Sequence, residues 1–361
     1  MLRPLRHPCE LDSMTWIPLR PAILRGALTA SLALMVFLLP AGARAARAYV
    51  SNEDDGTVTV IDTQRLAALA TVTVGKRPRG LVLSPDGASL YVALTGLPKC
   101  PPPIPEQRCA KLPRDRQADG VAVIDTATLK QTRLLKGVSD PERVEISRDG
   151  HSLFVTDEDA ARLSVLDVLR GRVVARITVG REPEGVRASP NGRWVLVTSE
   201  SGNSVAIIDA HTHTLLHTVL VGTRPRDLAF TPDSRSAYVS GEADASVYRI
   251  SLPSGAPAAQ LVQLRQEARP MGVVLDAPHG RLYVSTGRGG TVAVISPQDG
   301  KLIGEIAVGA RPWGLALSED GTRLLTANGP SGDVSVIDTH TLTVLGKVTV
   351  GHGPWGVVVG P

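Results

Sequence analysis

Arginine, glutamate and tryptophan recur in this chain at fixed distances from proline, so any chemistry is sought first at those positions. Seven prolines, Pro78, Pro141, Pro183, Pro225, Pro270, Pro312 and Pro354, stand at one register of a repeated phrase. Their flanks differ from copy to copy: Arg77 and Arg79, Asp140 and Glu142, Glu182 and Glu184, Arg224 and Arg226, Arg269 and Met271, Arg311 and Trp313, Gly353 and Trp355. A second register adds Glu53, Glu158, Glu200 and Glu242, with Asp54, Asp55, Asp157 and Asp159 beside them. Guanidinium groups recognise carboxylates in charge-assisted pairs, and indole rings offer flat apolar area. Two uses fit: the arginines and carboxylates stiffen one another as salt bridges, or the same groups hold a small anionic ligand against Trp313 and Trp355.

Other chemistries find less support. His211, His213 and His217 fall in DAHTHTLLHT, which reads as a solvated turn and strand start, while His352 near Trp355 is the histidine to test as an acid or base. There is no P-loop, HExxH, nucleophile elbow or recognisable triad. Neither a CxxCH haem signature nor a paired CxxC zinc pattern occurs. The chain therefore carries no cofactor motif of its own, no catalytic residue is assigned, and no spacing marks a metal site, which leaves open whether a divalent metal or a quinone binds.

The formal charge of +4 is carried largely by the N-terminal segment. Residues 1–45 hold five arginines and two acids, leaving 34 basic against 33 acidic residues. That near-neutral remainder argues against a nucleic-acid surface. Arg20 and Arg25 precede an apolar run from Gly26 to Pro40, and Ala43-Arg44-Ala45 supplies small residues where a signal peptidase reads. Residues 1–45 thus read as a secretory signal, with Met14 as an alternative start. The run falls short of the roughly 20 apolar residues of a membrane helix. The expectation is a periplasmic or secreted monomer without a stable membrane anchor.

These side chains must be positioned by repeated elements. One alternating phrase occurs seven times: VTVID ending at Asp62, VAVID at Asp125, LSVLD at Asp167, VAIID at Asp209, VYRIS at Ser251, VAVIS at Ser296 and VSVID at Asp338. Successive spacings are 63, 42, 42, 42, 45 and 42 residues, so about 21 extra residues fall in the first interval and three in the fifth. Four strand-like runs fill each period, in the first case Ala48–Asn52, Thr57–Asp62, Ala70–Gly75 and Gly80–Ser84. A four-stranded unit of this length cannot cover both its faces and must stack between copies of itself. The sequence therefore specifies an all-β, seven-bladed β-propeller with four-stranded antiparallel blades over residues 46–361. Residues 46–52 copy the second strand of the unit and Gly356–Val359 the first, so one blade is expected to be closed by both chain termini. The proline register then leads into each central strand at the channel mouth.

Ala48-Tyr49-Val50-Ser51-Asn52, Leu90-Tyr91-Val92-Ala93, Leu282-Tyr283-Val284-Ser285 and the recurring VG-x-x-P phrases resemble the YVTN β-propeller repeats of many exported bacterial proteins. The order of blade variants, including VGREPEGVRASPNG and the terminal PWGVVV, is most like the group associated with PQQ-dependent catabolism. The resemblance implies a binding or accessory protein, its ligand or periplasmic protein partner held at the mouth and its role linked to PQQ-dependent oxidation. Alternatives within the same resemblance are a metal-dependent lactonase-like hydrolase, a subunit of a periplasmic oxidoreductase, or a DNA-binding propeller. The chain departs from the pattern in an insert at about 97–119, where Cys100 and Cys109 are expected to form a disulfide closing a proline-rich surface loop.

Overall fold

The computed structural model describes residues 46–99 and 112–360, together with Trp16 and Pro18. Apart from Trp16 and Pro18, the expected leader lies outside the described residues, as does the Cys100–Cys109 pair. Among the described residues twenty-eight strands form seven four-stranded antiparallel sheets, one per blade. Two single-turn 3-10 helices, Glu158–Ala160 and Gly287–Gly289, interrupt them. Among the described residues no helix is long and apolar enough to cross a membrane.

The innermost strands are β4 (Pro78–Leu83), β8 (Pro141–Ile146), β12 (Pro183–Ala188), β16 (Pro225–Phe230), β20 (Val273–Asp276), β24 (Pro312–Leu317) and β28 (Pro354–Gly360). In the first blade β28 pairs with β1 (Arg47–Asn52), followed outward by β2 (Thr57–Asp62) and β3 (Ala67–Thr73). The β1–β28 register runs from Arg47↔Gly360 to Val50↔Val357 and, past a bulge, Asn52↔Pro354. Strand pairing thus joins the two ends of the repeat array. The outermost strand of this blade begins three residues earlier than its alternation suggests, and β4 begins at the proline itself.

Burial follows distance from the rim. Nearly every residue of β1 and β2 is buried, whereas β3 is mostly exposed. Middle strands are apolar on both faces because each blade is sandwiched by two others. One cluster joins Tyr91 and Ala93 to Val144, Ile146 and Leu153 of the next blade, and another joins Phe154 and Leu163 to Val186, Val195 and Val197. The turns are fixed by aspartate: Asp62 Oδ1 accepts the Gln64 and Arg65 N–H groups at 2.9 and 2.8 Å, closing an Asx-type turn.

Candidate functional site: the mouth of the channel

Six of the seven central strands are approached through a sharp backbone reversal. The residue before the proline has positive φ in six blades: Arg77 (41°), Asp140 (44°), Glu182 (51°), Arg224 (56°), Arg311 (55°) and Gly353 (62°). Only glycine takes up this region without cost, and a non-glycine residue there stores local strain. The proline register is therefore half of a two-residue device, and five of its strained positions carry charged side chains. In the fifth interval the three extra residues alter the approach: β20 starts at Val273, beyond Pro270, and Arg269 is not among the positive-φ residues.

Two residues beyond each proline, five blades carry glycine. A Cβ on Gly185 would lie 2.4 Å from the Arg226 carbonyl oxygen, and one on Gly314 would lie 2.8 Å from that of Trp355. Neighbouring central strands come too close there for a side chain. The other two blades place Arg143 and Asp227 at this register. Arg143 lies over the Trp355 ring, 5.1 Å from its centroid, and 3.5 Å from Asp227 Oδ2. Arg187 joins them, 3.2 Å from Asp227 and 3.5 Å from Glu145. This buried layer floors the mouth, and only about 10 Å³ remains between Arg143, Asp227, Trp313 and Trp355. The sequence reading missed it; the signal was the break in the Pro-x-Gly pattern.

Above that floor is a cavity of about 580 Å³. Of the expected site residues, Glu53, Arg77, Arg79, Glu142, Glu158, Glu184, Glu200, Arg224, Arg226, Arg311, Trp313 and Trp355 line it. Glu242 stands behind the wall, bonded to Arg226, and Arg269 donates to the Ala243 carbonyl at 3.1 Å. The insert contributes Leu97, Pro98 and Lys99 to the lining. Lys99 sits 3.3 Å from Glu53 and 2.7 Å from Asp54. His352 is 85% exposed and pairs with Asp55 at 2.9 Å, outside the lining.

The charged wall forms two knots. In the first, Arg79 meets Glu53 (3.4 Å), Glu158 (3.0 Å), Asp140 (3.8 Å) and Glu142, while Arg77 also grips Glu53 at 2.6 Å. In the second, Arg226 meets Glu242 (2.5 Å), Glu184 and Glu200, with Arg224 bridging Glu200 and Glu242. Carboxyls outnumber guanidiniums in both. Burial raises the Glu53 carboxyl, but Arg79, Arg77 and Lys99 outweigh it and hold the group at about 2. Glu158 is pushed up to about 7 by burial and by Glu184, Asp140 and Glu182, against the pull of Arg79. Glu200 is pushed up to about 9 by burial and by the charge and side-chain hydrogen bond of Glu184, against the pull of Arg226. Glu184, buried against the same guanidinium, is held below the usual carboxylate range.

These directions give opposite limbs to the stability profile. Glu200 keeps in the folded state a proton that the unfolded chain releases near 4.5, so stability falls as pH rises from there to about 9. Glu53 acts the other way, its contribution present above 4.5 and lost as pH falls towards about 2. Glu200→Gln, permanently neutral and still able to bond Glu184, is expected to melt later than wild type at about pH 9 and to flatten the alkaline decline. Parallel decline of the two proteins would show that Glu200 is already ionised.

The opposite wall is aromatic. Trp313 and Trp355 are 5.5 Å apart with their planes tilted by 53°, and Arg311 lies 5.3 Å from the centroid of Trp313. Trp355 is buried, Trp313 half-buried and Arg311 exposed. Among the described residues no carboxylate lies within 4 Å of Arg311, unlike Arg77, Arg79, Arg224 and Arg226.

Residues 114–252 match the family described as cytochrome D1 heme domain, and residues 225–326 match the SMP-30/gluconolactonase/LRE-like region. No curated protein matches the chain. Among solved structures, a candidate 6-phosphogluconolactonase from Bacteroides uniformis is 18% identical, with a TM-score of 0.70 over 88% of this chain and all of that one. Hydrazine synthase of Kuenenia stuttgartiensis is 19% identical, with a TM-score of 0.64 over 78% of this chain and 89% of that one. The dihydro-heme d1 dehydrogenase NirN is 19% identical, with a TM-score of 0.58 over 84% of this chain and 63% of that one. At these identities the likeness establishes a shared β-propeller fold.

The described residues of this mouth supply ligands for neither a haem iron nor a divalent ion. Haem iron takes an axial His, Cys, Met or Tyr, and among the described residues the cavity lining contains none. A divalent ion needs converging oxygen or nitrogen ligands, yet among the described residues no three His, Cys, Asp or Glu side chains converge suitably. Where carboxyls do cluster, a guanidinium lies among them.

Proposed function

We propose that the protein is an exported binding propeller whose mouth captures a small, flat, anionic molecule. The observation that carries this reading is Arg311, a mouth guanidinium with no carboxylate partner among the described residues, lying on Trp313 beside Trp355 at the edge of a 580 Å³ cavity. Four other mouth arginines are compensated and serve as a rigid wall. A carboxylated aromatic or quinone would stack on the indoles and place its charge at Arg311. The quinone cofactor PQQ belongs to this chemical class, which supports a role beside PQQ-dependent oxidation in the periplasm, alone or with a protein partner.

The test exploits the backbone. Arg311 occupies a positive-φ position that Gly353 fills in the next blade, so Arg311→Gly removes the guanidinium without adding strain. A charge-assisted contact is worth roughly 1.5–3 kcal/mol, or about 10- to 100-fold in affinity. Titration calorimetry with PQQ is expected to show that loss with an unchanged melting temperature; equal affinity would remove Arg311 from the site.

A second reading, a lactonase-like hydrolase, is favoured by one observation: Glu200, protonated at neutral pH, borders the cavity beside ionised Glu184. It would require lactone hydrolysis, measured by proton release, that disappears in Glu200→Gln.

A further inference from the structure

The two knots hold more carboxyls than their cations can neutralise. Seven carboxyl groups, Glu53, Asp140, Glu142, Glu158, Glu184, Glu200 and Glu242, converge on the four guanidiniums of Arg77, Arg79, Arg224 and Arg226. Among the described residues Lys99 adds one further cation within 4 Å, shared between Glu53 and Asp54, and Arg143 acts on Glu184 from farther away. Glu142, Glu184 and Glu200 are each at most 8% exposed. Packing of this kind cannot keep every carboxyl ionised, because like charges a few ångströms apart in a desolvated wall disfavour ionisation. Some of the seven must hold protons, and a protonated carboxyl is a hydrogen-bond donor.

We propose that the mouth binds its anionic ligand together with protons, Glu158 and Glu200 acting as carboxylic-acid donors opposite Arg311, so that the ligand is held in mildly acidic conditions and released as pH rises. This rests on the reading of the mouth as an anion site and adds how that site is regulated. Both residues border the cavity and close the second register of their blades. Glu158 faces Arg79 of β4, Asp140 before β8, Glu182 before β12 and Glu184 on β12. Glu200 faces Glu184 on β12, Arg226 on β16 and Arg224 before it, and its backbone N–H donates to Glu182 O at 2.8 Å. Glu242 shares the last two guanidiniums. An incoming carboxylate adds negative charge to surroundings already short of cations. It stabilises the protonated forms of Glu158 and Glu200, and by linkage protonation favours the ligand.

The experiment uses trimesate, a flat tricarboxylate fully ionised above about pH 6, with PQQ in parallel. Calorimetric titrations of the full chain are run from about pH 6 to about pH 9 in two buffers of different ionisation enthalpy. Expected are net proton uptake and a Kd that weakens by about tenfold for each proton whose carboxyl is shifted by one unit on binding. Glu158→Gln, neutral at every pH, should bind nearly as well at about pH 8 as at about pH 6, leaving only the alkaline decline due to Glu200. Binding without proton uptake and with pH-independent affinity would overturn this inference while leaving the anion site standing. Failure of both probes to bind or to shift the melt at any pH would overturn both. Unaltered pH dependence in Glu158→Gln and Glu200→Gln would show that the protons go elsewhere and would likewise refute the assignment.

Discussion

Deleting residues 354–361 is expected to collapse the folded ring, lowering the melting temperature by well over 10 °C or leaving the protein insoluble. β28 is the inner strand of a blade whose other three strands lie at the opposite end of the chain. It supplies the whole ladder to β1 from Arg47↔Gly360 to Asn52↔Pro354. Val357 is buried in the cluster that joins Ala48, Val50 and Ile61 to Leu325 and Ala327 of the neighbouring blade. Gly356 N–H donates to Ser51 Oγ at 2.9 Å, and Ser51 Oγ donates to Arg79 O at 2.6 Å, so removing the strand strips a partner from the hydroxyl that ties β1 to the blade on the far side. Burial of Trp355 and Val357 alone represents about 3–6 kcal/mol, before the lost ladder and the exposed edge of β1 are considered. Circular dichroism melts of the full and shortened chains provide the check, with removal of residue 361 alone as a control. A shortened chain that melts like the full one would show that closure contributes nothing.

The parts of this architecture visible in the sequence are those that depend on one blade at a time. The repeated VTVID-type phrase, the Asx turns and the proline register are local, and they placed twelve of fourteen expected residues in the cavity lining. The parts that were not visible depend on relations between blades. Arg79 and Glu158 are 79 residues apart and meet only because adjacent blades stack at a fixed angle. Arg269 was expected at the rim beside Arg311, but the lengthened fifth interval carries it to the Ala243 carbonyl instead. Arg143 and Asp227 were hidden in plain alternation; recognising them required knowing that central strands approach closely enough to demand glycine elsewhere in that register. Lys99 belongs to an insert whose path no periodicity describes, yet it borders the same cavity.

Arg226→Ala is the single substitution expected to cost most, about 3–5 kcal/mol at neutral pH, because it leaves a buried cluster of acids without its central cation. The Arg226 guanidinium contacts Glu184, Glu200 and Glu242, and Arg224, about half-exposed, reaches only the last two. Glu184 would then stand desolvated with no cation from this knot. Its carboxyl, now held low by Arg226, would rise above its unfolded value, so the variant's deficit should widen as pH increases and shrink towards about pH 5, where the freed carboxyls can protonate. Urea unfolding at about pH 5 and about pH 8 distinguishes this from a loss of packing, which would be equal at both. Arg226→Lys should recover only part of the loss, since a point charge cannot serve three carboxyls as a planar fork does. Adding Glu184→Gln to Arg226→Ala should recover more, by removing the charge that was stranded. If that double variant is no more stable than Arg226→Ala, the guanidinium stabilises the mouth by its packing against the wall, and excess carboxyl charge is not what shapes it.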